Sequence, residues 1–89
     1  MSIFLKRGEE IRSSAKELVL DLMTSSAICQ PDGAGMKQAE IFRECGLDYG
    51  DYPSATSSNQ QYWVVAILRE LEAENKIERV SSSGPWRLR

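Results

Sequence analysis

Residues 67–80 decide the fold of this 89-residue chain. Their sequence is Ile67-Leu68-Arg69-Glu70-Leu71-Glu72-Ala73-Glu74-Asn75-Lys76-Ile77-Glu78-Arg79-Val80. Apolar residues at helical spacing in the first half predict the end of an amphipathic helix. Asn75 is a residue type that tolerates the left-handed conformation in which many helices end. From Ile77 onward, apolar and charged residues alternate, as they do in a half-buried strand. The stretch therefore predicts a helix that turns directly into a β-strand.

The flanking residues extend this helix and strand. We predict the helix from about residue 58 to residue 74, with a core stripe of Val64, Ile67, Leu68 and Leu71. After the strand, residues 81–84 (Ser-Ser-Ser-Gly) predict a hairpin turn, and residues 85–89 predict the return strand. Strand residues two apart share a face, so we expect the arginines at 79, 87 and 89 to form one basic ridge, opposite Trp86 and Leu88.

Two more helices are predicted nearer the amino terminus. Ser14 and Glu17 have the spacing of a capping box, and the apolar residues from Ala15 to Met23 follow a helical pattern that fades near Ile28. A second helix is predicted over residues 37–45, with Gly46 as its left-handed cap. The prediction is an α+β fold of three helices followed by a two-stranded β-hairpin. The domain covers residues 13–89, and residues 1–12 are an amino-terminal arm or a helix extension.

The composition excludes several classes of function. The chain has 11 basic and 13 acidic residues, a net charge of −2, so it is neither a polybasic tail nor an acidic disordered chain. Histidine is absent, and the two cysteines, Cys29 and Cys45, cannot complete a four-ligand zinc site. Residues 33–35 lack the lysine and spacing of a phosphate-binding loop. We therefore expect no catalytic residues, no metal and no cofactor, and we expect that the protein is not an enzyme.

The apolar stretches of the sequence are short. Residues 3–5 (Ile-Phe-Leu) are followed at once by charges, and the longest run, residues 63–68, is far below the roughly 20 residues of a membrane span. We expect a soluble, cytoplasmic protein with reduced thiols that does not enter a membrane. Residues 3–5 and the first helix are the candidate surface for a homodimer.

The order of the elements resembles the winged helix-turn-helix family. The junction from Leu71 to Ile77 is similar to the end of that family's recognition helix, with asparagine at position 75 where glycine is common. Residues 36–47 resemble the family's second helix. Residues 84–88 are similar to the closing strand of accessory winged-helix domains in restriction systems, including the Mrr type. The resemblance covers about residues 13–89 and implies a double-stranded DNA partner and a regulatory or accessory role in DNA processing.

The resemblance implies that the third helix enters the major groove and that the hairpin touches the DNA backbone or the minor groove. Asparagine and glutamine, here Asn59 and Gln61, suit adenine, and Arg69 reaches guanine or phosphate. Hydroxyl and basic side chains of the helix starts and the hairpin suit phosphate. The candidate DNA-binding residues are Lys37, Gln38, Ser57, Ser58, Asn59, Gln61, Tyr62, Arg69, Arg79, Ser82 and Arg87.

The alternative is a winged-helix protein-interaction module that does not bind DNA. Residues 57–89 carry five basic and four acidic residues, so their net charge is only +1. A DNA-binding domain usually has a clearer basic surface. On the outward face predicted for the third helix, Tyr62 and Val65 are the candidate contacts for a protein partner.

Overall fold

The computed structural model describes residues 2–48, 62–82 and 84–89, and in these residues three α-helices precede an antiparallel hairpin. Helix α1 spans Ile3–Ser25, α2 spans Gln38–Glu44 and α3 spans Tyr62–Ala73. Strands β1 and β2 span Ile77–Arg79 and Trp86–Leu88. A short 3-10 helix, Ala27–Cys29, follows α1. The predicted α+β class and the predicted order of helices and hairpin are confirmed.

Helix α1 begins much earlier than predicted. Its N-cap is Ser2, whose side-chain oxygen accepts a hydrogen bond from the backbone N–H of Phe4 at 3.1 Å. The predicted start at the Ser14–Glu17 capping box is wrong, because both residues lie inside the helix. Between Ser2 and Ser14, Gly8 is the one strongly unfavourable residue for a helix, and an interior glycine lowers helix stability by only about 1 kcal/mol. Residues 3–12 therefore belong to α1.

The carboxyl end of α1 is capped by a side chain that lies beyond the helix. The Gln30 amide nitrogen donates to the carbonyl oxygens of Met23, Thr24 and Ser26 at 3.3, 3.0 and 2.8 Å. The last carbonyls of a helix have no partner within the helix, so these bonds satisfy acceptors that would otherwise need water. The chain then turns through residues 27–35 toward the hairpin.

The core lies where one face of each helix meets the hairpin. The predicted stripe of α3 is confirmed, since Val64, Ile67, Leu68 and Leu71 are all buried. From α1, only every fourth residue of the carboxyl-terminal half is buried, namely Ala15, Val19 and Met23. The rest of the core consists of Cys29, Met36, Ile41, Phe42, Ile77 and Trp86. Leu18, which belongs to the predicted apolar pattern of α1, lies outside this core and is exposed.

The hairpin has a register that differs from the predicted one. Ile77 pairs with Leu88, Glu78 with Arg87 and Arg79 with Trp86. Residues directly opposite each other in an antiparallel pair share a face. Arg79 therefore lies on the side of Trp86 and Leu88, and Arg87 lies on the other side. The predicted basic ridge is wrong, because a change of one residue in register moves every side chain of a strand to the opposite face.

A third backbone segment joins the hairpin on the free edge of β2. Met36 and Trp86 exchange two backbone hydrogen bonds, at 2.8 and 2.9 Å, in an antiparallel bridge. Gly35, just before it, has a left-handed backbone, and a β-carbon there would lie only 2.8 Å from the Val80 side chain and 2.9 Å from that of Pro85. Glycine at position 35 therefore lets the segment before α2 lie directly against the hairpin.

The two predicted left-handed caps are confirmed. Gly46 has φ 72° and follows α2, and Asn75 has φ 63° and follows α3. In both cases a backbone N–H past the helix donates to a carbonyl in the last turn: Leu47 to Phe42 at 2.8 Å, and Lys76 to Leu71 at 3.0 Å. These caps end the helices abruptly and allow the tight junction between α3 and β1. Among the described residues, no helix combines the length and the apolar character needed to cross a membrane.

Candidate nucleic-acid interface

Helix α3 presents a nearly uncharged face to solvent. Its exposed side chains within the described residues are those of Trp63, Ala66, Arg69 and Ala73. The prediction that Ala66 and Arg69 face outward is confirmed. The same prediction for Val65 is wrong, because its side chain is half-buried and packs against the core. Arg69 is the charged group on this face, and its guanidinium group can donate to a phosphate or to the edge of a guanine.

Two of the three carboxylates near the end of α3 face α1. Glu70 pairs with Arg12 at 3.4 Å and with Lys16 at 3.3 Å. Glu74 pairs with Lys16 and, at 3.7 Å, with Lys76. The hydrogen bond with Lys16 lowers the pKa of Glu74, and the same bond raises the pKa of Lys16. These cations neutralise Glu70 and Glu74, so the field around Arg69 is less negative than the sequence of α3 suggests, although Glu72 has no ion-pair partner among the described residues.

Two predicted residues lie at the start of α2, beside the hairpin. Lys37 is the N-cap residue of α2 and is exposed, and Gln38 is the first residue of that helix and is half-buried. Met36, the residue before Lys37, is bridged to Trp86, which in turn pairs with Arg79. Neighbouring strands lie about 5 Å apart, so the backbone of Lys37 is within roughly 15 Å of that of Arg79. The structure therefore places these two cations in one region.

The two predicted arginines of the hairpin have different surroundings. The guanidinium of Arg79 lies over the ring of Trp86, 4.6 Å from its centroid, and donates to the carbonyl of Ser82 at 3.4 Å. Arg87 donates to the Glu78 carboxylate at 2.8 Å and to the Gly33 carbonyl at 2.9 Å. Arg87 thus joins the hairpin to the loop before α2, and its charge is paired within the protein. Arg79 pairs with no carboxylate among the described residues, so its charge remains available to a ligand.

Several predicted residues lie outside the described part of the chain. They are Ser57, Ser58, Asn59 and Gln61, which the sequence places before or at the start of the third helix. Tyr62 is the first residue of α3, and the structure describes its backbone only. The roles predicted for these five side chains therefore stay predictions.

The described residues do not form a recognisable catalytic centre. Cys29 and Cys45 are not joined by a disulfide. Burial raises the pKa of both thiols, that of Cys45 to about 11, so neither is a thiolate nucleophile at neutral pH. Within residues 2–48, 62–82 and 84–89, no three acidic or cysteine side chains are grouped in a way that could hold a metal ion.

Comparisons with other proteins do not assign the chain to a family. No family model, curated protein or solved structure matches it. The winged-helix resemblance therefore depends on the order of the elements and on the two confirmed helix caps.

One residue of the α3 surface was not predicted from the sequence. Trp63 is 39% exposed and lies on the same side of the helix as Ala66. Its partial exposure could have been predicted from helical spacing, because at 100° per residue Trp63 lies about 90° from the centre of the core stripe, at the border of the solvent-facing side. Exposed tryptophans are enriched at binding surfaces, where they supply a large rigid contact area.

Proposed function

We propose that the chain is a DNA-binding protein of the winged helix-turn-helix type, without enzymatic activity of its own, that acts as a regulator or as an accessory to a DNA-processing system. In this proposal the exposed face of α3 enters the major groove. The observation that carries it is the separation of charge near the end of α3, where Arg69 faces solvent, Glu70 and Glu74 are paired with cations of α1, and the side chain of Glu72 is half-buried. A groove-facing helix requires such a separation, because unpaired carboxylates beside phosphates repel DNA.

The contacts proposed for this complex divide by chemistry. Arg69 contacts a guanine or a phosphate, and Asn59 and Gln61 hydrogen-bond to base edges. Lys37 and Arg79 contact neighbouring phosphates of the DNA backbone, since their own backbones lie in the same region of the molecule. Ser82, at the hairpin turn, and Gln38 add neutral hydrogen bonds to the backbone. Arg87 has a structural role in this scheme, because its donors are engaged by Glu78 and Gly33.

A fluorescence-anisotropy titration tests the proposal. The protein is added to labelled duplex DNA of mixed sequence at 50 and at 200 mM salt. We expect binding that weakens with salt. Arg69→Ala should weaken binding by about 3- to 30-fold and reduce the slope of log affinity against log salt by about 1, as loss of one ionic contact predicts. Arg79→Ala and Lys37→Ala should reduce the slope in the same way.

Arg43→Ala is the matched control. Arg43 is exposed and lies in the last turn of α2, at the opposite end of that helix from Lys37. This variant should bind DNA like the unmodified chain. Absence of binding at 50 mM salt, or equal weakening by Arg43→Ala and Arg69→Ala, would contradict the proposed interface.

A second candidate function is a protein-interaction module, and the exposure of Trp63 favours it. In that case Trp63, Ala66 and the adjoining Tyr62 form the contact surface, and Val65 only supports it from below. Trp63→Ala should then abolish capture of the partner, while Arg69→Ala should have little effect. The salt dependence separates the two functions, because an aromatic contact is far less sensitive to salt than phosphate binding.

A further inference from the structure

Helix α1 carries an apolar stripe that the described part of the chain leaves exposed. Phe4, Ile11 and Leu18 are 73%, 65% and 41% exposed. They are seven residues apart, and each step of seven rotates the position on the helix by only about 20°, so the three side chains lie in one line. Ile3 and Leu5, both exposed, flank Phe4 at the end of the helix.

This stripe is large enough to matter for association. The three side chains of the stripe expose on the order of 100 Å² each, so together they reach the lower end of the roughly 300–600 Å² of the largest apolar patch on a typical monomer, and Ile3 and Leu5 add apolar surface on either side of Phe4. A standard interface buries about 800 Å² on each partner, and the polar residues that border the stripe would supply the remainder. The exposed part of the helix, residues 3–14, is about 18 Å long and is accessible to another helix.

The spacing of the stripe makes it complementary to a copy of itself. A two-fold axis through Ile11 places Phe4 of one chain against Leu18 of the other, because both are seven residues from Ile11. The same axis places Ile11 against Ile11. An aromatic side chain at one end thus meets the smaller, partly covered Leu18 at the other end, which gives every exposed member of the stripe an apolar partner.

The charges beside the stripe follow the same symmetry. Arg7 and Glu17 are exposed and, at 100° per residue, lie on the same side of the stripe. Arg7 precedes Ile11 by four residues and Glu17 follows it by six. Consider two such helices that run antiparallel about this two-fold axis. Measured along the helix axis, Arg7 of each chain then lies only about 3 Å from Glu17 of the other chain. Within one chain these side chains are ten residues apart and do not meet.

We propose that the chain forms a symmetric homodimer in which two α1 helices pack antiparallel through Phe4, Ile11 and Leu18, with Arg7 of each chain paired with Glu17 of the other. The occupant of the stripe is a second copy of this chain. This interface lies on α1 and does not depend on the function proposed for α3 and the hairpin.

Sedimentation equilibrium of the full chain between 10 and 500 μM tests the dimer. We expect the mass of two chains at the upper end of this range. Ile11→Glu should raise the dissociation constant at least tenfold, because it places two carboxylates at the axis. Ile28→Glu is the matched control, since Ile28 is also an exposed isoleucine (42%) but lies in the 3-10 helix away from the stripe. The mass of one chain at 500 μM, or a dimer that survives Ile11→Glu, would overturn the proposal.

A charge exchange tests the antiparallel arrangement. Arg7→Glu and Glu17→Arg should each weaken the dimer at least threefold, and the double variant should return the dissociation constant to within twofold of the original. If the double variant is as weak as the single ones, the proposed pairing is wrong. Cysteine crosslinking gives an independent check, because a mixture of Phe4→Cys and Leu18→Cys chains should form a mixed disulfide. Phe4→Cys chains alone should not, whereas a parallel dimer would crosslink them.

Discussion

Gly35 and Gly46 have the same left-handed backbone conformation in very different surroundings. Gly35 has φ 88°, and an added β-carbon would meet Val80, Pro85 and the carbonyl of Trp86 at 2.8–3.0 Å. Gly46 has φ 72° and nothing within 4 Å of the same position. The pair therefore separates the cost of a strained backbone from the cost of a steric clash within one molecule.

We expect Gly46→Ala to lower the free energy of unfolding by about 1 kcal/mol, the cost of a left-handed alanine. Gly35→Ala should lower it by roughly 2–4 kcal/mol, because overpacking adds about 1–3 kcal/mol to the same backbone cost. Urea unfolding followed by far-ultraviolet circular dichroism measures both values. Equal losses in the two variants would show that the segment before α2 does not lie against the hairpin as described.

At the scale of elements, α1 and α3 are joined by Lys16, whose ammonium binds the carboxylates of Glu70 and Glu74. A carboxyl whose pKa is lowered on folding stabilises the protein above its ordinary pKa, and the stabilisation is lost as the pH falls through the lowered value. An ammonium whose pKa is raised stabilises the protein below its ordinary pKa, and the stabilisation is lost as the pH rises through the raised value. Glu74 and Lys16 are shifted in these directions.

Lys16→Met should therefore destabilise the protein by an amount that depends on pH. The difference in unfolding free energy from the unmodified chain should be constant between about pH 6 and 9 and should shrink below about pH 4 and above about pH 10.5. Urea unfolding at a series of pH values measures it. Lys37→Met, at the exposed start of α2, is the control and should show no such dependence. A difference that is the same at pH 3 and pH 7 would contradict the role given to this ion pair.

The elements differ in how far the sequence determines them. The core stripe of α3 and the caps at Gly46 and Asn75 follow from local spacing and residue type, and the sequence predicts all three. The predicted start of α1 is wrong because Ser2 and Ser14 can each cap a helix. Which of them is the N-cap depends on whether residues 3–13 are helical. The hairpin register depends on the geometry of the turn at residues 80–85, where Val80 donates to the Pro85 carbonyl at 2.8 Å. A one-residue difference there assigns Arg79 and Arg87 to opposite faces.

In the candidate site, too, some features follow from the local sequence and others depend on contacts between distant segments. Arg69 was placed correctly because its exposure follows from helix periodicity. The structural role of Arg87 was not predictable, because its partner Gly33 lies 54 residues away in the chain. The pairing of Glu70 with Arg12 and Lys16 likewise depends on how α1 crosses α3, which no local pattern encodes. Contacts between distant segments thus decide which of the predicted charges remain available to a ligand.

At the scale of the whole molecule, α1 has two halves with different environments. Residues 3–14 are exposed, whereas Ala15, Val19 and Met23 are buried in the core. Helical turns without tertiary contacts are only marginally stable in water. The stability of the first half should therefore depend on the second copy proposed above.

Hydrogen exchange of the backbone amides measures this dependence. In the Ile11→Glu variant we expect amides 7–11 to exchange rapidly, while amides 19–25 remain protected by the core. In the unmodified chain at 500 μM both groups should be protected. Equal protection of amides 7–11 in the two samples would show that association does not stabilise this half of the helix.

The bridge between Met36 and Trp86 has a consequence for the order of folding. These residues are 50 positions apart (86 minus 36), and closing a flexible loop of that length costs about 3.5 kcal/mol of chain entropy. The helices need no such closure, because their hydrogen bonds join residues within one turn. We therefore expect the bridge to form late, after the helices and the local β1–β2 hairpin are available as a surface on which Trp86 can be buried. Until that step, Met36 and the free edge of β2 remain open to other chains, and a slow closure prolongs the time in which the folding protein is prone to aggregate.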